Sequence, residues 1–134
     1  DAPDGALSGV EVAQQLHQDP DCVFKTLVTT GASGKHYVFM IPVAEELSLK
    51  KAAAATKEKS IVMLKSKDLL PLTGYVHGGC SPIGMKKSFP TFIDETAQLF
   101  DSILFSGGKI GTQVEMAPET LLSMVPYTYA DLTV

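Results

Sequence analysis

The sequence contains no arginine, and its eleven basic residues are all lysine. Recognition of phosphate or carboxylate by a two-pronged guanidinium is therefore excluded, so lysine and main-chain amides must serve instead. Acidic residues number fifteen and the net charge is −4, which excludes a protein that holds nucleic acid by charge alone. Because the lysines are scattered along the sequence, we expect weak binding to free nucleic acid and a shallow dependence of that binding on salt.

Cysteine and long apolar segments are also scarce. Two cysteines, Cys22 and Cys80, are too few for a disulfide framework or a paired Cys-x-x-Cys metal site. We interpret both as reduced thiols of a cytosolic protein. No run of eighteen apolar residues is present and no signal peptide is visible. These absences predict a cytoplasmic protein.

The common catalytic signatures are missing. There is no GxSxG, no GxGxxG after a strand and no HExxH, and Ser106–Lys109 lacks the spacing of a phosphate-binding P-loop. His77 and Cys80 lie three positions apart, but two ligands do not make a zinc site. We therefore predict no metal ion and no cofactor.

Periodicity and capping signals predict an α+β fold in one domain covering residues 1–134. A capping box begins the first helix, Pro71 ends the third, and Pro118 occupies the first turn of the last. The expected helices cover residues 8–17, 48–56, 66–70 and 118–124. The expected strands cover residues 23–30, 35–41, 61–64, 92–93, 102–105, 112–116 and 127–132, with no regular βαβ repeat.

Two glycine-rich segments, Gly74–Lys87 and Ser106–Gly111, stand out against this background. Glycine loses the most backbone entropy on folding and is retained where the chain turns sharply or approaches a ligand. Pro82 fixes its own φ and favours an extended conformation at Ser81. We expect a bent, stiff loop whose main-chain amides point at a bound oxygen.

Lys25 lies inside an apolar strand. Alternation places Val23, Lys25 and Leu27 on one face and Thr26 on the other. A lysine in this position either extends its ammonium to the rim of the sheet or points into a cleft that holds a ligand. The spacing leaves both interpretations open.

Cys80 also has two interpretations. Beside Ser81, it is a conceivable thiol nucleophile with His77 as its base. A loop thiol within a run of glycines is more typical of a small packing residue, and this second interpretation is the one we favour.

Four segments together closely resemble the YbaK/EbsC family, a free-standing relative of the editing domain inserted into bacterial prolyl-tRNA synthetases. The resemblance covers nearly the whole chain, in the order and spacing of the family, and its segments are Val23–Val28, Leu49–Ala53, Thr73–Gly84 and Phe105–Lys109. It implies a strongly curved, mostly antiparallel, barrel-like mixed sheet with helices packed outside. It also implies hydrolysis of the ester bond of a mischarged aminoacyl-tRNA, typically Cys-tRNA(Pro).

The resemblance also assigns residues to a site. Lys25 matches the signature lysine of the family, and Thr26 matches the adjacent pocket residue. The glycine-rich loop that cradles the aminoacyl ester is matched by Gly78, Gly79, Ser81 and Pro82, and the opposite wall by Ser106, Gly107 and Gly108. Of these, we expect Lys25, Gly79 and Ser81 to be catalytic and the others to bind substrate.

One departure concerns the start of the chain. Family members usually begin with a further helix and strand that carry a pocket-side tyrosine, and this sequence begins after that region. The resemblance implies prolyl-tRNA synthetase as a partner, and we expect Lys86, Lys87 and Lys109 to meet a few phosphates near the acceptor end. Two alternatives remain open: a deacylase for Ala-tRNA(Pro) or a related mischarge, and a non-catalytic binding module with the same fold.

Overall fold

The computed structural model describes residues 22–76, 78–85 and 88–134, and the helix expected over residues 8–17 lies outside them. The other expected helices and all the expected strands are present, with ends that shift by up to three residues. The strands are β1 (Phe24–Gly31), β2 (His36–Pro42), β3 (Ile61–Met63), β4 (Thr91–Asp94), β5 (Ile103–Ser106), β6 (Gln113–Met116) and β7 (Tyr127–Ala130). The helices are α1 (Leu49–Thr56), α2 (Ser66–Thr73) and α3 (Pro118–Met124), with a 3₁₀ helix at Glu95–Leu99.

The five-stranded sheet has the order β3-β1-β2-β4-β7. β1 pairs antiparallel with β2 and β3, whereas β2–β4 and β4–β7 are parallel pairs. β5 and β6 form a separate antiparallel pair. The α+β class and the mixed sheet are confirmed. Within the described residues the sheet is open, with β3 and β7 at its edges, and is not closed into a barrel.

The two faces of the five-stranded sheet are covered by different elements. One face packs Phe24, Met40 and Ile93 against Ile103 and Phe105 of β5. On the other face, α1 and the segment after β7 cover β2, and the side chains in contact include Phe39, Ile41, Ala52 and Leu132. Each fully buried side chain of this size contributes about 1.5–3 kcal/mol. Apolar burial on both sides therefore fixes β1 and β2 as the centre of the fold.

Helix α2 corrects one expectation. The sequence predicted that Pro71 would end this helix, but the helix continues to Thr73 with Pro71 inside it. Proline removes one main-chain hydrogen bond from a helix, and two contacts beyond it offset that loss. Thr73 Oγ1 donates to the carbonyl of Leu69 at 2.7 Å, and the amide of Gly74, in the left-handed conformation, donates to the carbonyl of Leu70 at 2.8 Å.

Candidate functional site

Tyr75 connects the two glycine-rich segments. Its hydroxyl donates to the carbonyl of Ile83 at 2.5 Å, which closes the first loop. Its ring lies against Gly108, where an added Cβ would come within 3.0 Å of Tyr75 Cε1. The first segment also touches the second directly, because a Cβ on Gly79 would lie 3.2 Å from the amide nitrogen of Ile110. The two segments thus form one surface, and glycine permits the close approach.

The first loop holds main-chain amides without partners. The amide of Gly79 is in use, since it donates to the carbonyl of Val76 at 3.0 Å. Ser81 Oγ accepts from the amide of Ile83 at 3.2 Å. Cys80 and Ser81 are 5% and 3% exposed, and no acceptor is recorded for their amides among the described residues. Buried amides in proteins are nearly always paired, so these two are candidates for a ligand oxygen.

Cys80 behaves as a packing residue. It lies in an apolar cluster with Val28, Val38 and Leu69. Burial raises the pKa of its thiol to about 11, and the hydrogen bond with Thr73 opposes this only in part. A thiol with this pKa stays protonated at neutral pH and is a poor nucleophile. The geometry therefore favours the interpretation of Cys80 as a filler within the loop.

Lys25 lies at the border of two apolar clusters. It is half-buried and lies opposite Ile41 in the β1–β2 register. Val23, two residues before it, packs against Leu104, and Leu27, two residues after it, packs against the cluster beneath α1. Ile41, its cross-strand partner, belongs to the same cluster as Leu27, so Lys25 is a half-buried cation at the border of apolar side chains on this face of β1.

Ser106 lies on the same side of the structure as Lys25. A parallel bridge joins Val23 to Leu104, and side chains two positions further along each strand point the same way. Those side chains are Lys25 and Ser106. The cross-strand partner of Ser106 is Gln113 on β6. The bridge therefore places a lysine, a serine and a glutamine along one surface.

Gln113 is a residue that the sequence did not single out. Its Oε1 atom is buried without a hydrogen-bond partner among the described residues. A buried polar atom without a partner is costly, so an unfilled acceptor here indicates a place for a donor on a ligand. No sequence signal marks Gln113, because a glutamine in a short strand is usually solvated.

Thr26 lies on the opposite face of β1 from Lys25, as alternation predicted. Its Oγ1 atom is also buried without a partner in the described part of the chain. In an antiparallel pair, alternate residues of a strand point their main-chain N–H and C=O groups toward the partner strand. Val23 O accepts from the amide of Val43, just after β2, whereas Val28 O accepts from the amide of Leu64, just after β3. Thr26 has the same orientation as Val28, so its main-chain groups point away from β2. β3 pairs with Thr29–Gly31 and β5 bridges to Val23, so in the described part of the chain neither strand pairs with Thr26. The structure thus places Lys25 and Thr26 on two sides of one open strand edge.

The remaining expected site residues differ in exposure. Gly78 adopts a φ of 85° and is exposed, whereas Pro82 is buried. Gly107 donates its amide to the carbonyl of Thr112 at 2.8 Å, which closes the β5–β6 turn. The described residues do not include His77, the conceivable base, or Lys86 and Lys87, which were expected to contact phosphates.

Two surface cavities lie away from the glycine segments. One, of about 440 Å³, is lined by Thr30, His36, Leu64, Asp68, Pro71 and Leu72. The other, of about 410 Å³, is lined by Pro42, Glu45, Asp94, Thr96, Leu99, Phe100, Thr133 and Val134. Asp94 is 1% exposed, but its carboxylate is occupied by Thr96 and by the amide of Leu132. We therefore assign the candidate site by unpaired polar groups and not by cavity volume.

The described residues hold neither a cluster of metal ligands nor a membrane-spanning helix. Over residues 22–76, 78–85 and 88–134, no three His, Cys, Asp or Glu side chains cluster as metal ligands would. No helix in the same ranges is long and apolar enough to span a bilayer.

Comparison with known proteins gives the same fold and adds a family. Residues 4–124 match the aminoacyl-tRNA editing domain family. EbsC of Enterococcus faecalis (strain ATCC 700802 / V583), named as a candidate Cys-tRNA(Pro)/Cys-tRNA(Cys) deacylase, is 48% identical over 127 residues, which cover 95% of this chain and 77% of EbsC.

Two solved structures superpose closely on this chain. A crystal structure described as a candidate trans-editing enzyme for prolyl-tRNA synthetase has a TM-score of 0.87 and 25% identity, covering 98% of this chain and 83% of its own. A scaffold protein from computational epitope grafting has a TM-score of 0.88 and 26% identity, covering 96% of this chain and 82% of its own.

The chain therefore belongs to the aminoacyl-tRNA editing domain family. Within that family, its identity to EbsC and its likeness to the trans-editing structure place it in the YbaK/EbsC group.

Proposed function

We propose that this protein is an aminoacyl-tRNA deacylase that cleaves the ester bond of a mischarged tRNA, with Cys-tRNA(Pro) as its principal substrate. Family membership and the name of EbsC support this assignment. The observation that carries it concerns the amides of Cys80 and Ser81, which have no partner among the described residues and lie in a buried loop beside the second glycine segment. Such amides suit an oxyanion that develops on a carbonyl.

The chemistry requires little from the protein. An aminoacyl ester is an activated bond, so the site has to position it, stabilise the oxyanion and admit a nucleophile. In this proposal the amides of Cys80 and Ser81 donate to the carbonyl oxygen. Gly79 contributes by lacking a side chain, which lets the loop approach Ile110. Ser81 contributes its amide, and its hydroxyl holds the turn at Ile83.

Lys25 supplies the positive charge of the site. Its half-buried position on β1 and its place beside Ser106 suit an anchor for the terminal ribose and phosphate or for the ester carbonyl. Thr26 and Gln113 each present a buried oxygen that has no partner in the part of the chain that the structure describes. We propose that donors of the aminoacyl-adenosine end, such as its α-ammonium and hydroxyl groups, fill these acceptors.

The nucleophile comes from the substrate. In a cysteinyl ester the substrate thiol attacks its own carbonyl carbon, a C–S bond forms, and the C–O bond to the ribose breaks. The thiol proton passes to the departing ribose oxygen, which leaves a cyclic thiolactone and free tRNA. An alanyl ester has no thiol and needs water and a base. Gln113 is an amide and cannot serve as that base, so this arrangement favours the cysteinyl substrate.

Selection against the correct amino acid is steric in this account. Discrimination by one methylene in an apolar pocket is worth only about 1–3 kcal/mol. A small rigid site that sterically excludes a larger side chain discriminates more strongly than a site that relies on a difference in binding affinity. The tight contacts of Gly79 with Ile110 and of Gly108 with Tyr75 supply such rigidity.

Prolyl-tRNA synthetase is the proposed partner, and the cytoplasm is the proposed location. The structure described for prolyl-tRNA synthetase trans-editing supports the first, and tRNA charging takes place in the second. Presentation by the synthetase compensates for the weak binding that a net charge of −4 predicts.

A panel of mischarged tRNAs tests the proposal. Cys-tRNA(Pro), Ala-tRNA(Pro) and Pro-tRNA(Pro) are incubated with the protein, with and without prolyl-tRNA synthetase, and the release of the amino acid is followed. We expect the fastest release from Cys-tRNA(Pro), a gain in efficiency with the synthetase, and no release of proline. Faster release of alanine would reassign the substrate. Binding of charged tRNA without release of any amino acid would show a non-catalytic module.

A further inference from the structure

The edge of the sheet at β3 carries charge of one sign. Residues 50–67 contain six lysines and one acidic residue, Glu58. Residues 94–134, in contrast, contain six acidic residues and one lysine, Lys109. An acidic protein thus has a positive region, and we call its outer part the β3 edge, formed by Lys57, Lys59, Lys65 and Lys67.

The fold gathers these lysines around one exposed strand. β3 is an edge strand of the sheet, and Lys59 and Lys65 lie two residues outside its two ends. All four lysines are exposed. Val62 and Met63 between them are 56% and 44% exposed. The β3 edge therefore presents a continuous surface of lysine and aliphatic side chains.

The charges of the β3 edge are not neutralised within the described chain. An ion pair joins Lys51 to Asp131, but it involves none of the four lysines of the β3 edge. Glu58 lies among them, but its carboxylate accepts hydrogen bonds from Ser33 and Tyr37. Asp68, on α2, is the other acidic side chain nearby, and it lies on the rim of the cavity next to His36. Four lysines against these two carboxylates leave an excess of positive charge.

Local stability does not explain the lysines at α2. Lys65 occupies the N-cap position without a side-chain hydrogen bond, and Lys67 lies in the first turn. The helix dipole disfavours cations at this end, and serine, threonine, aspartate or asparagine are the stabilising N-caps. Lysine at these positions lowers helix stability, which is the pattern expected of residues retained for binding.

We propose that the β3 edge binds the phosphate backbone of RNA, and that it receives the acceptor stem of the tRNA whose 3′ end lies at Lys25; this inference rests on the proposed function. Lys25 and Thr30 lie on the same strand, and Thr30 pairs with Val62 of β3. Five residues of extended strand span about 17 Å, which the few unpaired nucleotides at the 3′ end of a tRNA bridge. The six acidic side chains within residues 94–134 repel phosphate and so favour RNA on the side of the lysines.

Salt-dependent binding of an uncharged tRNA(Pro) acceptor-stem minihelix with a 3′ CCA end tests the β3 edge. Each lysine that neutralises a phosphate contributes roughly 0.7–0.9 to the slope of log K against log salt. We expect Lys65→Gln to reduce this slope by about that amount. The triple variant Lys59→Gln/Lys65→Gln/Lys67→Gln should reduce the slope by roughly 2 to 3 and raise the Kd for the minihelix about tenfold or more. Lys50→Gln, on exposed α1, is the charge-matched control for the single variant and should leave the slope unchanged.

Several results would overturn the inference. Equal slopes for wild type and the triple variant would show that the β3 edge holds no phosphate. Equal reductions in Lys65→Gln and Lys50→Gln would show that the effect of charge is not specific to the β3 edge. Unchanged RNA binding with lost binding to prolyl-tRNA synthetase would assign the edge to a protein partner instead. Thermal unfolding of each variant confirms the fold. Because the minihelix is uncharged, this titration decides the β3 edge even if deacylation is not found.

Discussion

The two ends of β1 differ in how their polar groups are paired. At its start, Lys25 is a single half-buried cation, and buried oxygens of Thr26 and Gln113 have no partner within the described residues. At its end, β3 covers the strand, the polar side chains of Thr29 and Thr30 are hydrogen-bonded to Tyr37 and His36, and exposed lysines surround the edge.

We interpret this difference as a separation of catalysis from RNA binding. Unpaired polar groups in a buried, rigid setting interact strongly with a ligand because little water competes. Exposed lysines interact weakly with each phosphate and gain strength only in number. Variants at the start of β1 should therefore change the rate of deacylation, and variants at its end should change binding.

Replacing Lys25 should produce the largest effect. Lys25→Ala removes the charge of the site, and we expect kcat/KM for Cys-tRNA(Pro) to fall by roughly 10²–10³-fold, the scale seen when one transition-state donor is lost. Lys25→Met keeps most of the apolar stem and should lose as much. Single-turnover deacylation measures the rates.

Lys50→Met is the control for the Lys25 variants, since Lys50 is an exposed lysine on α1 and should retain wild-type activity. Wild-type activity of Lys25→Met would show that the ammonium has no part in the reaction. It would then break the proposed contrast between the two ends of β1.

Gly79→Ala should produce the second largest effect. An added Cβ would lie 3.2 Å from the amide nitrogen of Ile110 and 3.4 Å from the carbonyl carbon of Lys109, so the two glycine segments must move apart. Displacement of a catalytic group by about 1 Å can lower a rate roughly 10²-fold, and we expect a loss of about tenfold or more. If deacylation is unchanged while the melting temperature falls, the contact of the two segments serves stability alone.

Cys80→Ala should have a small effect on the rate. The thiol packs against Val28, Val38 and Leu69, so its loss should lower the free energy of unfolding by about 1 kcal/mol. In the proposed mechanism the amide of Cys80 takes part in deacylation and its sulfur does not, so the rate should stay within about threefold of wild type. Loss of roughly 10³-fold or more, typical of a missing nucleophile, would restore the thiol mechanism. Urea unfolding and single-turnover rates on the same sample separate the two.

Glu58→Gln should leave deacylation unchanged and alter the dependence of stability on pH. Hydrogen bonds from Ser33 and then Tyr37 lower the pKa of Glu58 below its usual 4.5, and the hydrogen bond to Glu58 raises the pKa of Tyr37. A carboxyl group with a lowered pKa stabilises the fold above its unfolded value, and this contribution disappears as the pH falls through the folded value. Below about pH 4.5 the wild type should therefore lose stability more steeply than Glu58→Gln.

Urea midpoints across the acidic range measure this effect. Glu45→Gln is the control, since no hydrogen bond to the Glu45 carboxylate is recorded within the described residues. Parallel curves for wild type and Glu58→Gln would show that Glu58 does not hold the β1–β2 turn to the end of α1.

The helices and strands were largely predictable because their signals are local. Ser48 accepts a hydrogen bond from the amide of Lys51 as an N-cap should, and Pro118 lies in the first turn of α3. Alternation along β1 correctly separated Lys25 from Thr26. The prediction that Pro71 ends α2 was wrong because the contacts of Thr73 and Gly74 that extend the helix form only in the folded structure.

The site was less predictable because its parts meet only in three dimensions. The bridge from Val23 to Leu104 brings Lys25 to the side of Ser106 across some eighty positions of sequence. The glycine-rich segments predicted the loops, but not that the Gly79 amide is hydrogen-bonded while those of Cys80 and Ser81 have no partner over the described residues. The sequence did not show that the lysines of the β3 edge form one surface, because they come together only when β3, the end of α1 and the start of α2 are folded.

The most direct test of the central claim is the first-order decay of Cys-tRNA(Pro) with the wild-type protein in excess, measured against buffer alone and against Pro-tRNA(Pro). The account predicts that the protein accelerates loss of cysteine by roughly 10²-fold or more, which corresponds to stabilisation of the transition state by about 3 kcal/mol, and leaves Pro-tRNA(Pro) charged. Equal decay of Cys-tRNA(Pro) with and without the protein would contradict it.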